Sequence, residues 1–589
     1  MADSDTSHLV RVGSLDELKA KGCLVVSAGR HGVAVFWHEG RAWAVDNRCP
    51  HMGFPLSRGT VREGLLTCHW HHARFDLASG GTLDPFAGNA QPYATLIRGG
   101  DVFVEVAPAG ERTAQWRRRL EQGLEDQLPL ALAKATLALL GAGAEPREIL
   151  RVGALFGARY RAAGWGPGLS ILTTMANVLP WLGPDERPLA IFHGVVRVAE
   201  DCAGRPPRFG LDPLPAAGRA PARLKAWFRD AVEVRDAESA ERVLRTAIDV
   251  APPAAVADLL FAAVTDHYFL DAGHTLDFVV KALELLDHLG WSEATAILPS
   301  LVGGLCRAER SEERSAWRRP IDLPALVQPA VDELESSLEA EDSGGLPLRP
   351  GEFDELVPIL LGEEPGAVID ALVAALRRGT ALADLGQAVA HASSLRIARF
   401  PTSNEFGDWD TVHNTFSSCN ALHQALRRAP SPELARGLFH AAMKIYLDRF
   451  LNVPPARLPD EEQPGAASPD GAEAPAALRE LLDREQQVTP AGRLVDAYLR
   501  SGRDERPMLE SLGRAVLRED AGFHDYQALE GAFRQYAGLK AARPAAARRA
   551  VVALARFAAA HSPTSRALRQ TYQIALRLHR GEELFQSSE

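Results

Sequence analysis

CPHMGFPLSRGTVREGLLTCHWHHARFD, residues 49–76, sets two cysteines and four histidines among turn-forming residues. Cys49 and His51 form a C-x-H pair, and after sixteen intervening residues Cys68 and His71 form a C-x-x-H pair. Two loops that each offer one thiolate and one imidazole supply the donors of a 2Fe-2S centre. Neutral imidazoles on one iron remove negative charge and raise the reduction potential above that of an all-cysteine cluster. Pro50, Gly53, Pro55 and Gly59 give the first loop the restricted and permissive backbone that a tight turn needs. A Cys2His2 zinc site uses the same residue types, but its finger pattern puts C-x-x-C ahead of a helix bearing two histidines. Here each loop mixes Cys and His on strand-like sequence. His69 and His72 flank the second pair at spacings that depart from C-x-x-H and read as supporting or surface groups.

Outward from this stretch the texture is strand-like up to Val106. Val33 to Trp37 and Arg41 to Val45 are runs rich in Val, Phe and Trp joined across Glu39 and Gly40, and Leu65–Thr67, Arg74–Asp76, Leu96–Ile97 and Val102–Val106 continue the pattern. After Pro108 apolar residues recur at three- and four-residue spacing, which predicts helices over Ala131–Leu140, Glu145–Arg161, Leu189–Asp201, Leu276–Leu289, Pro365–Arg378, Glu433–Phe450 and Ala545–His561. Pro-, Gly- and acid-rich stretches at Glu341–Pro350 and Asp460–Pro475 interrupt the helices. The expected architecture is multidomain: a small all-β domain over 1–107, then a large mainly α-helical domain in two halves, 108–340 and 351–589, with a mobile loop at 460–475. A faint repeat accompanies the division: Asn177, a proline turn and Phe192-His193 are echoed by Asn420, a proline turn and Phe439-His440.

A chain of 589 residues needs more than one core, and a net charge of −11 argues against a nucleic-acid partner. No apolar run is long enough to span a bilayer, and MADSDTSHLV lacks the pattern of a secretory signal, so a cytoplasmic location is expected. Six cysteines in so long a chain are no disulfide scaffold; Cys23, Cys202, Cys306 and Cys419 read as ordinary buried thiols. With no glycine-rich dinucleotide fingerprint, electrons are expected from a separate NAD(P)H-linked reductase or a ferredoxin.

On C-P-H-x-G, the pair spacing, Phe75-Asp76 and Ser79-Gly80, residues 9 to 106 resemble a Rieske domain of the ferredoxin and oxygenase kind. The resemblance implies that Cys49 and Cys68 bind one iron of a 2Fe-2S cluster and His51 and His71 the other, the histidine iron nearer the surface. Respiratory Rieske proteins carry an extra disulfide-forming cysteine in each loop; the matching places here, near Phe54 and Arg74, hold none, which implies the lower-potential class. His72 stands where glycine usually follows the second ligand pair.

In ring-hydroxylating oxygenases the Rieske domain feeds an iron held by D-x-x-H-x-x-x-x-H. Asp271-x-x-His274 and Asp410-x-x-His413 begin that pattern, but Val279 and Ser418 break it. Helical bundles hold oxygen-active metal through carboxylate and histidine three residues apart. Asp271, His274, Asp410 and His413 are therefore candidate ligands of a second site, a non-haem iron, and Asp266, His267 and His274 share a face if their helix is continuous. Structural roles remain the commoner fate of buried histidines.

Ile191-Phe192-His193-Gly194-Val195-Val196-Arg197, and Val412-His413 with Asn420-Ala421-Leu422, are similar to segments of the questin oxidase-like family. This resemblance implies oxidation of an aromatic or polyketide-like small molecule, with His193 and His413 in the active site; His274, from the D-x-x-H spacing, is the further candidate catalytic residue. Two functions follow: a Rieske oxidoreductase whose cluster relays electrons to an oxidising helical domain, or a non-enzymatic electron carrier or redox sensor whose helical body binds a protein partner.

Overall fold

The computed structural model describes residues 8–28, 31–84, 86–106, 109–215, 220–337, 345–461 and 471–584. They group into two compact units, one running to Phe156 and completed by the chain from Ala567, the other spanning Gly157–Arg566.

The first unit opens with antiparallel strands β1 (Leu9–Ser14), β2 (Cys23–Ala28), β3 (His31–His38), β4 (Arg41–Asp46), β5 (Thr60–Arg62), β6 (Leu65–Thr67), β7 (Arg74–Asp76), β8 (Pro92–Tyr93), β9 (Thr95–Arg98) and β10 (Asp101–Glu105). They form three sheets, ordered β1-β10-β9, β2-β3-β4-β8 and β5-β6-β7. Glu39 and Gly40, with φ of 49° and 76°, close the β3–β4 hairpin, since a tight hairpin turn needs left-handed backbone. β3 reads as a continuous apolar run because both its faces are covered. Ala34 and Phe36 pack with Cys49, Leu66, Cys68 and Phe75, whereas Val33 and Val35 pack with Ala42, Ala44, Val102 and Val104. The two-residue period of a strand thus ties the metal-loop side of the domain to its other core.

Helices Ala109–Glu125 and Pro129–Gly141 follow, and the last helix, Ala567–His579, packs on Pro129–Gly141. The helices predicted from periodicity appear within a few residues of their expected ends, several with proline in the first turn, where a missing N–H costs nothing. The transition from a small β domain to a long helical region is therefore as the sequence texture implies.

The second unit is nearly all helix. The expected division near 341–350 falls inside it, with residues 338–344 outside the described residues, as is most of the expected loop at 460–475, residues 462–470. No described helix is long and apolar enough to cross a membrane. Facing helices His274–Leu289 and Phe523–Leu539 meet along a polar seam. Gln527 donates to Asp277 (2.7 Å), Lys281 pairs with Glu530 (2.7 Å) and Glu284 (3.1 Å), and Arg534 pairs with Glu284 (2.7 Å). Asn177, from the helix Pro167–Val178, donates to both Glu284 and Glu530. Lys281 and Glu530 are fully buried, so each charge depends on its partners rather than on water. Burial pushes the Asp277 carboxyl up to about 7.

Candidate metal centre

Cys49 and His51 leave the end of β4, and Cys68 and His71 leave the end of β6. Each loop is closed the same way: Cys49 N–H donates to Phe54 O (2.8 Å), and Cys68 N–H to Ala73 O (2.9 Å). Gly53 sits at φ 83°, and a Cβ there would lie 2.5 Å from Leu578 Cδ2 on the last helix, so a side chain would be strained and would push Leu578 aside. Arg48, beside Cys49, donates to the Leu578 (2.8 Å) and Glu582 (3.3 Å) carbonyls, tying the first loop to the same end of that helix. The 77–90 segment is held by Gly80 N–H to Asp76 O and Ala90 N–H to Gly80 O, both 2.8 Å, and carries Phe86 to within 5.2 Å of the His51 ring.

The loops face one another. The His51 and His71 rings lie 4.7 Å apart, Trp70 lies 4.5 Å from His71, and Phe54 meets Trp70 at 6.2 Å. Cys49 and Cys68 are each 1% exposed, whereas His51 is half-buried and His71 exposed, so the thiols form the inner end and the imidazoles the outer end. The two thiols lie close enough to share a hydrogen bond. That bond pushes Cys49 up, and with the Trp70 and His71 amides it pulls Cys68 down to about 6 against the opposing effect of burial. Burial and the neighbouring His71 and Lys134 lower His51, and its buried Nδ1 has no hydrogen-bond partner. Two facing thiols, one poised as a thiolate, and an orphaned imidazole nitrogen are the donor chemistry a 2Fe-2S cluster requires, so these residues could hold one.

The rival histidines turn elsewhere. His69 is exposed, with its ring against the Thr60 hydroxyl (3.3 Å), and His72 is exposed at φ 60°. The turn demands left-handed backbone at position 72, which explains why glycine suits the place and why histidine is strained there. His72→Gly is expected to stabilise this unit by about 0.5–1 kcal/mol, less than the relieved strain because glycine is also freer when unfolded. A thermal midpoint that falls instead would assign His72 a packing role.

In the helical unit the structure brings some expected residues together and separates others. The helix before His274 ends at Thr265, and Phe269, Asp271 and Ala272 adopt positive φ before the chain turns helical again, so Asp266, His267 and His274 do not share a continuous face. Asp266 pairs with Arg229 and Arg436, and His267 with Glu233 and Glu312. Asp271 accepts from the Glu309 amide (2.7 Å).

His274 and His413, from the helices His274–Leu289 and Phe406–Arg428, meet through His524, which lies 5.9 Å from the first ring and 5.6 Å from the second. Phe557 bridges His413 to His561, and Asp410 lies 3.9 Å from His561. Burial lowers His274 to about 4 and holds His413 well below its ordinary value, so both are neutral near pH 7, as ligands or bases must be. The buried His413 Nε2 and His524 Nδ1 have no hydrogen-bond partner. As the described side chains stand, no three or more His, Cys, Asp or Glu are arranged to hold one metal ion.

His193 lies apart from this group. It is fully buried, with Nδ1 2.6 Å from the Tyr526 hydroxyl, and burial lowers it to about 3. Tyr526 and His524 are two residues apart on one helix and so project to different faces. His524 and His561 escaped the sequence reading because one sits in the first turn of a helix and the other at a helix end, where a lone histidine carries no spacing signal.

A family profile described as Rieske [2Fe-2S] domain matches residues 8–94. The ferredoxin component of the alkene monooxygenase system of Xanthobacter autotrophicus is 32% identical over 108 residues, 18% of this chain and 88% of that protein. The ferredoxin component of the naphthalene 1,2-dioxygenase system of Pseudomonas aeruginosa is 28% identical, over 17% of this chain and 99% of its own length. Among solved structures, the ferredoxin of carbazole 1,9a-dioxygenase from Nocardioides aromaticivorans is 26% identical at a TM-score of 0.17, covering 17% of this chain and all of that one.

Proposed function

The chain belongs to the Rieske [2Fe-2S] domain family, and from that premise we propose that it is an oxidoreductase in which the N-terminal domain delivers electrons for oxidation of a small organic substrate in the helical unit. Cys49 and Cys68 hold one iron and His51 and His71 the other. The bound cluster supplies one-electron transfer. The donor is a separate NAD(P)H-linked reductase or ferredoxin, in keeping with relatives that are ferredoxin components of oxygenase systems. No nucleic-acid or membrane partner is invoked, and the location is cytoplasmic.

The observation that carries the oxidising role is the histidine group: His413 and His524, each with a buried ring nitrogen that has no hydrogen-bond partner, and His274, whose ring lies 5.9 Å from that of His524. A bound ion, ligand or water is one way such buried nitrogens gain a partner. These histidines are the candidate ligands of a non-haem iron, and His193 a further active-site residue. A cleft opens in the same unit, lined by Thr411 and Asn414 from the helix of His413 and by Ala272 just before His274. Trp317, Tyr446 and Phe450 give it aromatic walls; of its cations, Lys444 pairs with Asp448, which also lines it, Arg314 pairs with Glu309, and Arg449 stacks on Tyr446 and Phe450. Such walls suit a planar organic molecule, including an aromatic or polyketide-like one.

Iron content and turnover test the reading together. Three or more irons per chain, with His413→Ala removing the extra iron, lowering product formation by at least about tenfold and sparing the reduced cluster's paramagnetic signal, is the expected result. Two irons per chain and turnover indifferent to His413→Ala would instead favour a carrier or redox sensor whose helical unit binds a protein partner.

A further inference from the structure

We propose that Lys134, on a helix outside the matched Rieske domain, sets the reduction potential of the 2Fe-2S centre by placing a positive charge against its first loop. The inference rests on Cys49, His51, Cys68 and His71 being the ligands. Lys134 lies on the helix Pro129–Gly141, and its Nζ donates to the carbonyl of Pro50, the residue between Cys49 and His51, at 3.5 Å. It and Arg119 line a shallow cleft with Pro50, Gly88 and Asn89.

The local charge balance is lopsided. Arg48, Arg119 and Lys134 gather near Asp46, with Asp126 also on the cleft wall, and Arg48 is directed to the carbonyls of Leu578 and Glu582. Burial and the neighbouring Arg119 pull Lys134 down to about 8, the response of a cation in a poorly solvated place beside another cation. Nothing in the sequence around it needs a charge: Lys134 is the lone ionisable residue in PLALAKATLALLG.

The chemistry gives the sign. With two ferric irons, two sulfides, two thiolates and neutral imidazoles, the oxidised centre carries no formal charge, and the electron it accepts gives it one negative charge. No bond forms or breaks. A fixed cation therefore interacts mainly with the reduced form and raises the potential, and the poorly solvated setting strengthens the effect. The helices appended to the β domain would then be part of the redox apparatus as well as its support.

Lys134→Gln separates charge from anchoring, because glutamine can still donate to the Pro50 carbonyl. Redox titration of the full chain, followed by the visible and paramagnetic signals of the centre, should show the reduction equilibrium constant falling about tenfold in Lys134→Gln. It should stay near the original value in Lys134→Arg and be unchanged in Lys21→Gln, an exposed lysine paired with Glu17. An unchanged midpoint in Lys134→Gln with the centre intact overturns the proposal. Should Lys134→Gln fail to retain the centre, Arg119→Gln decides: a lowered midpoint supports the proposal, an unchanged one overturns it. Absence of any 2Fe-2S signal in the unaltered chain would sink the ligand reading itself, a different result from an intact centre with an unmoved midpoint.

Discussion

Cys68→Ser is expected to abolish the 2Fe-2S centre, taking the cluster iron to near zero and removing both the visible absorbance and the paramagnetic signal of the reduced protein. Cys68 is 1% exposed and faces Cys49, and its amide holds the second loop closed on Ala73. Serine fits that space and keeps the backbone bond, so the loop should persist while the soft anionic donor is lost. No neighbouring residue can replace it: His69 is turned to Thr60, and His72 is exposed on the far side of a left-handed turn. His69→Ala and His72→Ala should accordingly leave iron content unchanged. Retention of a spectroscopically normal centre in Cys68→Ser would move the ligand set to other residues and remove the basis for electron delivery.

The ligand loops were legible because their chemistry is local: the residues that must converge lie within one stretch, and Cys–His spacing is tied to turn geometry. Strands β1, β2, β5 and β8 were not read, although the Val-rich β1 and β2 carry a strand signal. β5 is three residues long and β8 is two, so their pairing is set by neighbours rather than by a pattern of their own. Helix periodicity was read well, yet it says nothing of which faces meet. His524 joins His274 and His413 only through packing of three helices distant in sequence, and the turn at 266–273 breaks a face that continuous periodicity would have preserved. Lys134 did leave a trace, a single charge in an apolar helix, but its meaning depends on Pro50, which lies 84 positions away. Arg48 reaching the final helix shows the same limit, since contacts between chain ends have no local signature.

Lys281→Met is expected to destabilise the helical unit by about 3–5 kcal/mol, because it strands buried carboxylates without a counter-charge. Lys281 is fully buried between Glu530 and Glu284, with Asp277 one turn away at 3.9 Å. The carboxylates raise the Lys281 ammonium above its ordinary range against the opposing effect of burial, and Lys281 together with Arg534 holds Glu284 below its own. Without the ammonium, burial dominates and the remaining carboxyls should titrate higher in the folded unit than in the unfolded chain. A carboxyl with a raised folded pKa favours folding when protonated and loses that contribution as pH rises through the interval between the two values. The deficit of Lys281→Met should therefore be small near pH 5 and grow toward pH 8, as read by urea denaturation followed through far-ultraviolet ellipticity. Asp277, at about 7 in the unaltered protein, already imposes a mild loss of the same sign. Adding Glu530→Gln to Lys281→Met should recover part of the loss, since it removes a stranded charge while retaining an acceptor for Asn177; additive losses would mean that the two side chains act independently. A deficit that stayed flat with pH would point to lost packing of the lysine stem rather than unpaired charge as the cause.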